Sequence, residues 1–385
     1  MDNASYLRKS FWKSLLHTLP MVLLLFVFVT RGSFNFANPL SGISLLVTFF
    51  FLVFLYFMMH YTGKTDKFRA ILFIVFAVAL SFTLIRNLVE VRNSMSFSQA
   101  DILECKIPFC HLVIPMMIIP AALTKSIIFP GSIIDGFANI STMVVLWSLA
   151  TIALGRGFCS WGCFYGGWDD GFSRVRKKTY IRKINAIWRW MPFAALLLVA
   201  ITAALTLVPT YCDWICPFKA VTEFEAITSV ETVVKTIVFA SLFLGLVIVL
   251  PILTRKRTQC SFLCPLGAVN SLSNKINPFV VKIDKNLCTD CMKCVDACPL
   301  FALTREGVKN GEVSMLCSKC GKCVDVCSQH AIHFGIRGVP VGRMVRFSRN
   351  TFLFVSYLFL AVFSAGSIYS LIQGILNYIF KMIIG

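Results

Sequence analysis

Apolar and polar stretches alternate along this chain on the scale of a lipid bilayer rather than of a strand or an amphipathic helix. Predominantly apolar runs occupy 14–30, 40–60, 70–89, 137–155, 191–209, 234–253 and 351–372. Each approaches the roughly 20 residues that a helix needs to cross about 30 Å of hydrocarbon. The pattern predicts an α-helical integral membrane protein with about seven spans. The stretch 111–130 is apolar too, but Pro115, Pro120, Lys125 and Pro130 interrupt it. Counted as a span, it would invert every later loop, so it reads as a re-entrant segment packed against protein. Residues 254–350 form the one long polar excursion.

Charge orients the spans. Lys64, Lys67 and Arg69 separate the second run from the third. Arg156, Arg174, Arg176, Lys177, Lys178, Arg182, Lys183 and Arg189 separate the fourth from the fifth, and Arg255, Lys256 and Arg257 follow the sixth. Excess Lys and Arg mark cytoplasmic loops, which puts the N-terminus and the polar excursion inside a cytoplasmic (inner) membrane. Arg8, Lys9 and Lys13 precede the first run and no small-residue cleavage site follows it, as expected of a retained span. Of the 385 residues, 57% are hydrophobic and the formal net charge is +19. That charge is gathered between spans without interleaved aromatics, which argues against a nucleic-acid partner.

The sixteen cysteines fall into six tight groups, a pattern of ligation rather than of a small secreted disulfide scaffold. Cys288, Cys291, Cys294 and Cys298, followed by Pro299, give C-x2-C-x2-C-x3-C-P. Cys317, Cys320, Cys323 and Cys327 repeat the spacing, with Ser328 in place of proline. In such paired runs three thiolates wrap one face of a cubane and the fourth ligates the other cluster. One [4Fe–4S] centre is therefore expected on Cys288, Cys291, Cys294 and Cys327, and a second on Cys317, Cys320, Cys323 and Cys298. Structural zinc normally uses two pairs separated by a longer stretch. The excursion thus reads as a small α+β ferredoxin-like domain on the cytoplasmic side.

Three further pairs share the spacing C-x3-C: Cys159 with Cys163, Cys212 with Cys216, and Cys260 with Cys264. By topology the first and third lie at cytoplasmic span ends. Cys212 and Cys216 fall at the outer face with Cys105 and Cys110. Each face collects four cysteines, the number one cluster needs. One further cluster is expected at each face, against the alternatives of disulfide or thiol pairs or another metal.

Other candidate chemistry is sparse. His17 and His60 sit at the cytoplasmic ends of the first two spans, where a haem or quinone is one option and plain interfacial placement the other. His330 and His333 follow the last cysteine and either tune it or face solvent. Trp161, Trp168, Trp188, Trp190 and Trp214 lie near span ends, where anchoring at the interface accounts for them at least as well as packing against a cofactor. Asp169 and Asp170 read as a solvated cytoplasmic turn. No dinucleotide fingerprint, Walker loop or nucleophile elbow is present.

With Cys212–Pro217, Cys260–Pro265 and the two ferredoxin runs in place, residues 155–335 resemble the polyferredoxin-like membrane proteins of the NapH, NosR and CcoG type. Phe164 departs from the proline expected after Cys163, and the first three spans and the Cys105/Cys110 pair are additions. The resemblance implies electron transfer by an oxidoreductase subunit rather than a stand-alone enzyme. A quinol, cytoplasmic ferredoxin or flavoprotein would be the donor, and another membrane redox subunit, with a flavin-carrying one among the options, the partner. A quinol-linked subunit of a reductase and redox-assisted copper handling are the alternatives. The expected division is 1–100 for N-terminal helices, 101–281 for the membrane core, 282–340 for the dicluster domain and 341–385 for a last membrane helix.

Overall fold

A computed structural model describes residues 10–34, 38–91, 140–181, 184–206, 210–219 and 229–384. The apolar runs become helices α1 (Phe11–Thr30), α2 (Pro39–Thr62), α3 (Thr65–Val91) and α4 (Ile140–Leu154). Two short turns of helix follow, α5 (Phe158–Trp161) and α6 (Phe164–Phe172), and then α7 (Met191–Thr206). Helix α8 (Val230–Thr254) contains a π-helical stretch, Phe243–Val249. Gly63 closes α2 in the left-handed conformation that a helix C-terminus favours, at φ 76°. Among the described residues, five helices are long and apolar enough to cross a membrane: α1, α2, α7 with its lead-in from Ile187, α8 and the last helix, α14 (Val345–Ile384). The third and fourth expected spans correspond to α3, which opens on Asp66, Lys67 and Arg69, and to α4, described over fifteen residues. The re-entrant segment 111–130 lies outside the described residues.

Helix α14 runs for 40 residues, about 60 Å at 1.5 Å per residue, well beyond the expected 351–372. It packs along α1, α2 and α3, and its first turns reach the polar domain. Tyr357 donates its hydroxyl to the Leu52 carbonyl at 2.6 Å, and the Tyr369 and Ser41 hydroxyls meet at 2.8 Å. The polar domain begins after α9 (Thr258–Phe262) and α10 (Pro265–Ser273). Strands β1 (Phe279–Ile283) and β2 (Ile332–Ile336) pair antiparallel, Phe279 opposite Ile336 and Ile283 opposite Ile332. Between them lie α11 (Lys293–Ala297), α12 (Arg305–Asn310) and α13 (Lys322–Val326). Phe334 stacks on Phe352 of α14 with ring centroids 4.8 Å apart, so one continuous apolar core joins this domain to the helices. Docking at such an apolar face fixes the ferredoxin domain against the membrane part.

Candidate iron–sulfur centres

The two ferredoxin runs repeat each other in backbone as well as in sequence. Asp290 and Lys319, Met292 and Gly321, and Phe301 and His330 occupy equivalent positions, and all six have positive φ. Left-handed conformations cost a non-glycine residue about 1–2 kcal/mol, yet five of the six carry side chains. Such turns curl the chain so that amides and thiols converge on one point. Cys294 and Cys323 then lie in the first turns of α11 and α13, and Cys298 and Cys327 cap the ends in extended conformation.

The thiols meet crosswise. Cys298 from the first run lies beside Cys317, Cys320 and Cys323 of the second, and these four line a small cavity with Val281, Leu300, Leu303 and Val313. Cys327 lies beside Cys288 and Cys294, with Cys291 exposed on the same loop. The Ala302 amide donates to Cys298 Sγ at 3.3 Å and the Lys319 amide to Cys317 Sγ at 3.5 Å. Burial pushes the Cys317 thiol up to about 12 and that of Cys294 to about 11. Thiols so placed deprotonate only when a cation takes the proton's place.

A second constellation stands where the ferredoxin domain meets the helices. Cys159 and Cys260 sit on α5 and α9, while Cys163 and Cys264 cap α6 and α10 with nearly identical backbone angles. All four are buried, and Cys163 has Cys159 and Cys264 beside it. The two halves exchange equivalent bonds. Arg156, three residues before Cys159, donates to the Cys260 carbonyl at 3.3 Å; Arg257, three before Cys260, donates to the Cys159 carbonyl at 2.6 Å. Six residues after Cys163, Asp169 accepts from the Cys260 amide at 2.9 Å; six after Cys264, Asn270 reaches Cys159 Sγ at 3.6 Å. Arg257 also bonds Cys260 Sγ at 3.3 Å and the Ser160 hydroxyl at 2.7 Å. Gly166 and Gly267 complete the correspondence, for a Cβ at Gly166 would overlap the Cys159 carbonyl and the Arg257 guanidinium.

This arrangement corrects three sequence expectations. Arg69, Arg156 and Arg257, expected as flanking charges, are at most 1% exposed. Asp169 and Asp170 are fully buried instead of forming a solvated turn, and burial pushes the Asp169 carboxyl up to about 7 despite the charge of Arg257. Trp161 is buried rather than interfacial, donating its indole N–H to the Lys319 carbonyl at 3.1 Å. Among the described residues no three His, Cys, Asp or Glu converge tightly enough for a single metal ion, and no two cysteines form a disulfide. A cubane spreads its four ligand sulfurs more widely than one ion does. Arg156 Nε and Nη1 and Arg257 Nε are buried without hydrogen-bond partners. A net-negative thiolate-bound cluster answers both that need and the raised thiols, so the donor sets fit [4Fe–4S] groups.

The two constellations touch. Ser160, after Cys159, donates to the Ser318 hydroxyl, after Cys317, at 2.8 Å. Arg69 bonds the Ser160 and Cys320 carbonyls at 3.0 and 3.1 Å. Lys319 is buried between Cys317 and Cys159, bonded to Asn274 Oδ1 at 2.6 Å and the Leu154 carbonyl at 2.9 Å, and burial pulls its amine down to about 8. Cys212 lies on the π-helical turn Tyr211–Ile215, and Cys216 follows it in extended conformation. Cys105 and Cys110 lie outside the described residues. His17 and His60 face each other across α1 and α2 with ring centroids 6.0 Å apart, and His333 is buried in β2. The missed residues Arg156 and Arg257 left one trace: the repeat reads R-x2-C-x3-C at both places.

Comparison with known proteins gives the same picture. A 4Fe-4S dicluster domain matches 280–335, and a 4Fe-4S binding domain matches three times, at 136–182, 188–226 and 236–286. Each of the three repeats holds one C-x3-C pair. An uncharacterized protein of Methanocaldococcus jannaschii is 28% identical over 46% of this chain and 70% of its own length. The putative electron transport protein YccM of Escherichia coli is 25% identical over 44% of this chain and 48% of its own. The ferredoxin-type protein NapH of Haemophilus influenzae is 26% identical over 43% and 54%. The chain thus spans about half the length of the latter two relatives. No solved structure matches. The chain is an iron–sulfur electron-transport protein with membrane helices. Its affinities are with the polyferredoxin-like membrane proteins, of the kind NapH and YccM represent.

Proposed function

We propose that the protein carries electrons singly from a cytoplasmic ferredoxin or flavoprotein, through the ferredoxin pair, to the buried four-cysteine site and on to an outer-face redox partner. Bound [4Fe–4S] clusters would supply the one-electron chemistry. Cys288, Cys291, Cys294 and Cys327 would hold the first, and Cys298, Cys317, Cys320 and Cys323 the second. Cys159, Cys163, Cys260 and Cys264 would hold the inner membrane site, and Cys105, Cys110, Cys212 and Cys216 the outer one. The observation that carries this reading is the Ser160–Ser318 bond, which joins the residue after Cys159 to the residue after Cys317 at 2.8 Å. The exposure of Cys291 suits donor docking at the first site, while Cys320 and Cys323 are buried and the Cys320 carbonyl accepts from Arg69 of α3. Basic loops support seven spans with the N-terminus and residues 282–340 inside. A membrane potential negative inside would favour outward electron movement by about 2.3 kcal/mol per 100 mV.

Iron and sulfide analysis after anaerobic purification tests the reading. About sixteen irons per chain are expected for four cubanes, and Cys159→Ser and Cys212→Ser should each bleach a different spectral component. A count of about eight, unchanged by either substitution, would confine iron to the ferredoxin pair and overturn it.

A further inference from the structure

Topology alone separates Cys212 and Cys216 from the inner site by the thickness of the membrane, a gap too wide for useful electron transfer. The packing of side chains removes that gap. Tyr211, the residue before Cys212, is fully buried, and its hydroxyl accepts a hydrogen bond from Gln259 Nε2 at 2.9 Å. Gln259 is the residue before Cys260. A second contact runs beside the first. Phe218, two residues after Cys216, lies 4.1 Å from the Tyr165 ring, two residues after Cys163. Helix α8 supplies a common ruler. Phe218 packs on Phe243 of α8 at 5.9 Å, and Thr258, at the start of α9, donates to the Leu246 carbonyl at 2.5 Å. Phe243 and Leu246 are about one helical turn apart. The Cys216 segment has folded inward along α8, and the Cys260 segment has folded back to meet it.

We propose that the Tyr211–Gln259 hydrogen bond is the bridge through which electrons pass between the inner four-cysteine site and the Cys212/Cys216 site, with the Tyr165–Phe218 contact as its parallel support. The inference rests on the reading that Cys212 and Cys216 hold a cluster. One electron leaves the inner site, which is oxidised by one, and arrives at the outer site, which is reduced by one. No bond forms or breaks and no proton is carried. Electronic coupling falls off less steeply through bonded and hydrogen-bonded atoms than across empty space. The route from Cys260 through Gln259 and Tyr211 to Cys212 contains one hydrogen bond and otherwise only covalent links. Tyr211 and Gln259 are positioning residues in this scheme, since neither is itself proposed as a ligand.

The test uses the full chain, reconstituted anaerobically in lipid nanodiscs and reduced by dithionite. Electron paramagnetic resonance should show a magnetic interaction between the two sites in the wild type, lost in Cys212→Ser. Reoxidation of the inner site by a bulky oxidant acting through the outer one is then followed by stopped flow. Tyr211→Phe keeps the ring and removes the bond; Gln259→Leu removes the donor. Both should keep full iron content and the magnetic interaction, yet slow reoxidation several-fold, and Tyr211→Phe/Phe218→Leu should slow it further. Wild-type rates in all three variants at full iron content would overturn the bridge. If Cys212→Ser loses no iron and leaves the spectrum unchanged, the outer cluster itself is wrong, and the bridge falls with it.

Discussion

Arg257 shows how much chemistry a single side chain holds at the inner site. Its guanidinium is buried, touches Cys260 Sγ, holds the carbonyl of Cys159 and the hydroxyl of Ser160, and has Asp169 and Asp170 nearby. The bond to sulfur is expected to stabilise the more negative, reduced form of a cluster there, because hydrogen bonds to ligand sulfurs raise the potential. Arg257→Lys keeps the charge but cannot reproduce the planar fork that serves three partners at once. A charge-assisted bond is worth about 1.5–3 kcal/mol, and only the part that differs between the oxidised and reduced forms moves the potential, so losing it should make the midpoint of that site more negative by tens of millivolts. Redox titration followed by paramagnetic resonance reads this directly. An unchanged midpoint at full iron content would remove Arg257 from the electronic role.

Three elements are fastened together by one buried charge cluster. Arg69 on α3 pairs with Asp66 at 2.8 Å and with Asp170 on α6 at 3.0 Å, and Arg174 closes the group on Asp66 at 2.7 Å and Asp170 at 3.1 Å. Asp325, within the second ferredoxin run on α13, accepts from the amides of Thr65 and Asp66 at 3.1 and 2.8 Å. The start of α3 is therefore the joint between the additional N-terminal helices and the ferredoxin domain. Burial alone would raise the Asp170 carboxyl, but Arg174 and Arg69 outweigh it and hold the group well below the usual carboxylate range. Asp170→Asn leaves two guanidiniums short of a counter-charge and should cost about 3–5 kcal/mol, seen as an earlier thermal unfolding in detergent. The sign of the pH dependence follows from the depressed value. The contribution is complete above the unfolded carboxylate value of about 3.9 and fades as pH falls below it through the lower folded one. Wild type and Asp170→Asn should thus differ equally across neutral pH and converge only in acid. Equal stability at pH 7 would show that the cluster does not hold the joint.

At the scale of the molecule, the ferredoxin domain, the inner site and the membrane helices share one core, so the cysteine-bearing segments are held in fixed relation. The helical membrane class and the ferredoxin runs were legible because both are local: a run of apolar residues and a cysteine every third position need no knowledge of distant chain. Arg69, Arg156 and Arg257 were not, since an arginine near a span end has the same sequence signature whether it meets water or a buried carbonyl. Only the recurrence of arginine three residues before Cys159 and Cys260 hints at the difference. The Ser160–Ser318 and Tyr211–Gln259 bonds join residues far apart in sequence and leave no periodic trace. Because these contacts carry the proposal of a single path from the cytoplasmic clusters into the membrane part, one experiment bears on it most directly. The protein is mixed with a reduced ferredoxin and freeze-quenched, with Cys159→Ser identifying the resonance of the inner site. The ferredoxin-pair signals should appear first and the inner-site signal should follow at their expense. Full reduction of the ferredoxin pair with no later signal from the inner site would contradict the account.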